Sequence, residues 1–198
     1  MLNADQLESI QKFYRYLPEN GTAVAARTLP GVHSKGAFFT RGSGHNKFGG
    51  YTEIPDEYQE VMDRLLRKHK EAAAYAPRPE IVKRSESARV GIITIGGCDP
   101  AVREALDILA GMGQPMDYMR IRAFPFHQDV IDFLTEHDYC YVVEQNRDAQ
   151  LCSLLILETP TPKDKIRPVL VYGGFPLSAK NVLDVIGSQV EELDAIYR

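Results

Sequence analysis

Apolar positions fall into two textures along the chain. From Arg89 onward, short β-branched runs alternate with segments of helical period. RVGIITI (Arg89–Ile95) has the continuous apolar character of a strand buried on both faces. Asp99-Pro100 follows as a predicted N-cap and first helical residue, with Val102, Ala105, Leu106 and Leu109 on one face and a stop near Gly111 and Gly113. A second strand is predicted over Met116–Ala123. Pro125 breaks it, and Val130, Phe133, Leu134 and His137 mark a second helix, where His137 suits a structural, dipole-complementing place at the helix end. Strands at Tyr139–Val143 and Val169–Tyr172 and helices over about 148–157 and 178–196 complete the pattern. Helical connections between successive strands imply parallel crossovers, hence a three-layer α/β/α domain over residues 89–198 with a mostly parallel sheet of about five strands.

The first half reads differently. Residues 1–53 predict an N-terminal helix and a glycine-rich extended arm. Seven glycines and two prolines lie between Pro18 and Gly50, and the short apolar pieces AVAA and AFF never settle into a period. So long an irregular stretch either wraps over another surface or contributes to a site. Residues 54–76 carry a clear helical stripe of Tyr58, Val61, Met62, Leu65, Leu66, His69, Ala72 and Ala73. Pro55 suits its first turn, and Pro77-Arg78-Pro79 ends it. Residues 77–88 read as a linker.

Composition narrows the function classes. With 23 Lys+Arg against 27 Asp+Glu and a net charge of −4, the chain lacks the basic surface that nucleic-acid binding requires. No apolar run has the length of a signal peptide or membrane span, so a cytoplasmic, membrane-free location is expected. The three cysteines, Cys98, Cys140 and Cys152, are widely spaced in apolar surroundings and form no CxxC pair. Reduced, buried thiols are expected, and no metal site.

Candidate chemistry gathers at the predicted carboxyl ends of the strands, where the loops of a parallel sheet converge. Gly96-Gly97-Cys98-Asp99 could cradle a phosphate at a helix N-terminus or simply form a tight turn, Gly97 being the candidate contact. Glu144-Gln145-Asn146 projects three polar side chains directly after an apolar strand. Glu144 and Asn146 are either contacts or caps of the next helix. In the arm, Arg27, Lys35, Arg41, His45 and Lys47 make a locally basic segment suited to an anionic ligand or an acidic partner. His45 is a possible acid or base, with no carboxylate at an obvious spacing to orient it. GxSxG, HExxH and Walker A motifs are absent, as is the GDG pattern of thiamine diphosphate binding. No catalytic residue is assigned.

RTLPG (Arg27–Gly31), GAFFTRGSGH (Gly36–His45), Gly49-Gly50-Tyr51-Thr52-Glu53, the lysine-rich helix end, FPF (Phe124–Phe126), VVEQN (Val142–Asn146) with Gln150, and GGFP (Gly173–Pro176) together resemble the carboxyl-terminal part of the α subunit of 2-oxoacid:ferredoxin oxidoreductases. The 2-oxoglutarate-acting branch is the nearest match, from about Phe13 onward. The resemblance implies a transketolase C-terminal-like domain whose sheet has one antiparallel edge strand. It also implies a complex with a β subunit carrying thiamine diphosphate, Mg2+ and an iron–sulfur cluster, which decarboxylates a 2-oxoacid, reduces ferredoxin and acylates coenzyme A. This chain is then expected to bind none of those cofactors, to be inactive alone, and to supply an assembly surface and site wall. Arg27, Arg41, His45, Gly97, Glu144 and Asn146 are the candidate substrate, coenzyme A or subunit contacts. Nothing in residues 1–53 resembles the family's amino-terminal domain, so that portion is expected as a separate chain or as missing from a truncated form. Asn46-Lys47 stands where acidic residues are frequent after the histidine, and Ala25-Ala26 where a proline and an aromatic are usual. A stand-alone α/β module for a phosphorylated ligand and a non-enzymatic docking scaffold are the alternatives, and a homodimer is compatible with the oxidoreductase reading.

Overall fold

The computed structural model describes residues 1–18, 21–40, 42–86 and 88–196, with backbone only over 189–196. The chain divides into two compact units, Met1–Tyr75 and Ala76–Arg198.

In the second unit five strands form one sheet: β1 (Glu80–Val82), β2 (Val90–Ile95), β3 (Asp117–Ile121), β4 (Tyr139–Glu144) and β5 (Ile166–Leu170). Their order is β1-β3-β2-β4-β5, with β1 antiparallel to β3 and every other pair parallel. The helices α3 (Asp99–Gly111), α4 (Gln128–Glu136), α5 (Gln150–Glu158) and α6 (Ala179–Ile196) follow β2, β3, β4 and β5 in turn. Alternation along each strand divides the core. Ile92, Tyr118, Tyr141, Val143 and Val169 face α3 and α6, while Ile93, Met119, Ile121, Cys140 and Val142 face α4 and α5. A three-layer α/β/α unit results. Gly91 in β2 lets Phe133 of α4 approach, since a Cβ there would lie 2.6 Å from its ring.

Three local expectations are corrected. The segment 77–88 holds edge strand β1, paired Glu80 to Arg120 and Val82 to Tyr118, so the sheet begins before residue 89. The last strand is Ile166–Leu170 and not 169–172, because an edge position tolerates Pro168, which has no N–H to donate. Asp99 does not cap α3. A 3-10 turn over Gly96–Cys98 makes Cys98 the cap residue and puts Asp99 inside the helix. The stop is as expected: Gly113 has φ +79°, and the N–H groups of Gly113 and Gln114 close onto Ala110 and Leu109.

The first unit contains α1 (Ala4–Ser9), an irregular arm, and α2 (Pro55–Ala72). Asn3 and Gln6 form a reciprocal capping box on α1. The arm is tied by side chains. Asn46 Oδ1 accepts from the N–H groups of Phe48 and Gly50, and Thr28 donates its hydroxyl to the carbonyl of Gly36. Of the predicted stripe on α2, only Val61 is fully buried; Tyr58, Leu65 and Leu66 stand exposed.

Candidate functional site

The central strand β2 sends its connection toward β3 on one side, and β4 sends its connection toward β5 on the other. The crevice of such a sheet therefore opens between the carboxyl ends of β2 and β4. Gly97, Glu144 and Asn146 are brought together there. Gly96 takes φ +65°, which favours glycine, whereas a Cβ at Gly97 would meet nothing nearer than Gln145 Oε1 at 4.0 Å.

The electrostatics of this turn disfavour a phosphate. Asp99 occupies the first turn of α3, where its carboxylate accepts hydrogen bonds from the Tyr118 hydroxyl at 2.6 Å and the Arg103 Nε–H at 2.9 Å. Burial pushes that carboxyl upward, but these hydrogen bonds together with the Arg103 and Arg120 charges outweigh it, holding Asp99 below its ordinary range. The positive end of the helix is thus already answered by an ionised side chain.

Glu144 and Asn146 act on the next helix. The Glu144 carboxylate is 3% exposed and accepts from the backbone N–H of Leu151 at 2.6 Å, the N–H of Cys152 at 3.0 Å and Asn146 Nδ2 at 2.6 Å. Asn146 Oδ1 accepts in turn from the N–H groups of Asp148 and Gln150. Together they satisfy the free donors at the start of α5, and the turn includes Ala149 in the left-handed region at φ 50°. The residue between them points outward. Gln145 is exposed, with Oε1 4.0 Å from Cys98 Sγ and Nε2 3.5 Å from the Phe175 carbonyl, spanning the loops after β2 and β5. Sequence reasoning passed over Gln145; strand alternation, which turns Glu144 inward, carried the signal.

Apolar side chains crowd the same edge. Ile95 ends β2, Phe124 follows β3, and Tyr172 and Phe175 follow β5; all four are exposed, Phe175 by 82%, while Phe124 meets Phe126 edge-on beside a cis Phe124-Pro125 bond. Such a rim suits contact with a protein surface.

In the first unit, Arg27 is exposed, its carbonyl accepting from the N–H of Leu2. It precedes a cleft of about 460 Å³ lined by Thr28, Leu29, Pro30, His33 and Phe38. His45 stacks on Tyr16 with centroids 4.1 Å apart, lies 2.8 Å through Nδ1 from its neighbour's carbonyl at Asn46, and borders a smaller cavity of about 200 Å³ with Tyr58 and Met62. No carboxylate pairs with its ring among the described residues. Arg41 lies outside the described residues.

The cysteines do not fit an iron–sulfur cluster. Cys98 sits in the core beneath α3, and Cys140 and Cys152 in the core on the opposite face of the sheet. Burial pushes the thiols of Cys140 and Cys152 up to about 12, away from the thiolate a metal needs. Among the described residues no group of three or more His, Cys, Asp or Glu could hold a metal ion, and no helix is long and apolar enough to cross a membrane.

No family model matches the sequence, and none of the curated proteins matches it. Solved structures do. A 2-oxoglutarate:ferredoxin oxidoreductase from Magnetococcus marinus, determined with 2-oxoglutarate, coenzyme A and succinyl-CoA bound, superposes with a TM-score of 0.77 over 92% of the chain at 21% identity. The chain spans about a third of that protein's chain, 32% of its length. Shorter superpositions are found with a split-gene transketolase, described as an inactive β4 tetramer (TM-score 0.43, 17% identity, 56% of this chain and 40% of that one), and with the α chain of a probable 2-oxoacid ferredoxin oxidoreductase from Thermoplasma acidophilum (0.38, 20%, 58% and 97%). At these identities the first superposition establishes a shared fold.

Proposed function

We propose that this chain is the carboxyl-terminal segment of the α subunit of a 2-oxoacid:ferredoxin oxidoreductase, acting on 2-oxoglutarate and acylating coenzyme A. One observation carries the reading. The likeness to the Magnetococcus enzyme covers more of the chain than the α/β unit alone could supply, so it includes much of the irregular arm. A three-layer α/β unit recurs among many functions. An arm of this irregular kind in front of it is a far narrower feature, and it is where RTLPG and GAFFTRGSGH lie.

In this reading the thiamine diphosphate, magnesium and iron–sulfur cluster belong to a β subunit, and the α subunit's amino-terminal domain is a second companion. Ferredoxin meets the assembled complex. The chain contributes a wall and an assembly surface, with the apolar rim of Ile95, Phe124, Tyr172 and Phe175 as contact area and Gln145 beside the Phe175 carbonyl. Arg27, Arg41 and His45 are the arm's candidates for anionic substrate or subunit contact.

The test is reconstitution. Purified chain mixed with the cognate β subunit and amino-terminal domain is expected to restore 2-oxoglutarate-dependent, coenzyme A-dependent viologen reduction, while the chain alone gives none. Failure of the reconstituted mixture with every 2-oxoacid, given correctly loaded companions, refutes the reading.

A further inference from the structure

The arm concentrates two kinds of side chain. Residues 10–52 hold six lysines and arginines against one carboxylate, Glu19, a net charge of +5, so the rest of a chain of net −4 carries −9. The same stretch holds seven of the eighteen aromatic residues. Cations and rings are neighbours in space as well as in sequence. Lys12 stands 5.0 Å over the ring of Tyr14, Lys47 5.7 Å over Phe48, and Arg15 5.9 Å over Tyr16 and 5.8 Å over Phe38. A basic segment in an acidic chain draws anions, and exposed rings offer flat apolar faces on which a planar group can stack.

One cleft brings both kinds together. The space of about 460 Å³ that follows Arg27 is within the size range of small-ligand sites. Leu29, Pro30 and Phe38 give it apolar walls, and Thr28, His33 and Thr40 polar ones. Leu29 is 54% exposed and Phe38 43%, so these walls are open to a ligand. Two guanidiniums flank them: Arg27 immediately precedes Thr28, and Arg15 lies over the Phe38 ring. Neither has an ion-pair partner among the described residues, whereas Lys35 is held by Glu8 at 3.4 Å and Lys47 by Glu60 at 3.0 Å. Burial, and after it the Arg15 charge, push the Arg64 guanidinium below its ordinary value, so the Arg15 charge is felt and not neutralised. The carboxylate at the His33 wall, Glu8, is already taken up by His33 Nε2 at 3.0 Å and by Lys35.

We propose that this cleft binds a mononucleotide, its base against Phe38, Leu29 and Pro30 and its phosphate on Arg15 and Arg27. Both halves of the ligand are selected. Guanidiniums match phosphate oxygens with paired N–H donors, and an aromatic wall takes the face of a base. A small carboxylate would leave the apolar walls uncovered. A polynucleotide would need a continuous basic track, which a chain of net −4 does not offer beyond the arm. The proposal stands independently of the oxidoreductase reading.

Calorimetry of the full chain with adenosine 5′-monophosphate tests it. Binding with a dissociation constant of about 10–500 µM, weakened by added salt, is expected. Adenosine and inorganic phosphate, each lacking one half of the ligand, bind about tenfold more weakly or worse. Arg15→Gln, Arg27→Gln and Phe38→Ala each lower the affinity by about tenfold. Leu29→Glu sets a carboxylate in the cleft from an exposed position and abolishes binding, so the test survives if Phe38→Ala disturbs the arm. Lys180→Gln removes an exposed cation from the α/β unit and leaves the affinity unchanged, which separates a site from general attraction between charges. Unchanged thermal unfolding by circular dichroism shows that each variant remains folded. No binding at about 1 mM nucleotide, inorganic phosphate bound as tightly as the nucleotide, or an affinity indifferent to the Arg15, Arg27 and Leu29 substitutions overturns the proposal.

Discussion

Glu144 gives the sharpest test of how the carboxyl edge of the sheet is built. Replacing it with alanine removes the acceptor for two backbone N–H groups and one side-chain amide, all held by a single carboxylate that is 3% exposed. A buried donor left without an acceptor costs about 1–3 kcal/mol, and the lost negative charge at a helix start adds about 0.3–1 kcal/mol. Since neighbouring losses do not add fully, Glu144→Ala is expected to lower stability by about 3–5 kcal/mol. Glu144→Gln keeps one oxygen as acceptor and turns an amide toward donors, so its expected loss is about half as large. Urea unfolding of the full chain followed by circular dichroism measures both, with an unchanged m value showing that only stability has moved. Should Glu144→Ala stay within about 0.5 kcal/mol of the parent, the cap is not what holds the start of α5, and the contact role regains its place.

Gly91→Ala pushes a Cβ to 2.6 Å from Phe133 Cε1 and 2.9 Å from Cys140 Sγ, both fully packed, and is expected to cost about 2–3 kcal/mol; a Gly91→Ala, Phe133→Leu double variant recovers part of this in the same melt. Asp99, held below its ordinary range, contributes stability that is present above the unfolded carboxyl value of about 3.9 and is lost as pH falls through the lower folded value. Asp99→Asn is therefore expected to flatten the acid limb of a stability–pH curve below about pH 4 relative to the parent. Cys140 and Cys152, pushed up to about 12 by burial, are expected to resist iodoacetamide at pH 8 in the folded chain and to react once urea unfolds it; rapid labelling of either in the native state refutes their placement.

The middle of the sheet was legible because β2 and β4 bury both faces and α3 and α4 keep a clean period, so each apolar residue named on those helices lies in the core. The margins were not. Strand β1 is three residues long, mostly exposed, and follows Pro77-Arg78-Pro79, which leaves neither alternation nor an apolar run to read. Pro168 disguised β5, since a proline argues against a strand until the strand is known to lie at an edge. At the candidate site, the sequence marked the right loop but not the division of labour within it. Glu144 points into the core and Gln145 away from it, a distinction fixed by where β4 ends. The exposure of the α2 stripe was invisible for a related reason: period tells which residues share a face, not what lies opposite that face.

The two margins of the sheet also bear on how this molecule can associate. Hydrogen-bonded extension, strand added to strand, needs a long border with free backbone donors. One border here offers three residues, and the other is interrupted at Pro168 by a residue with nothing to donate. Growth by edge-to-edge pairing is closed off on both flanks, which leaves side-chain surfaces such as helices and loop rims to carry any quaternary structure and spares the α/β unit a common route into fibrils.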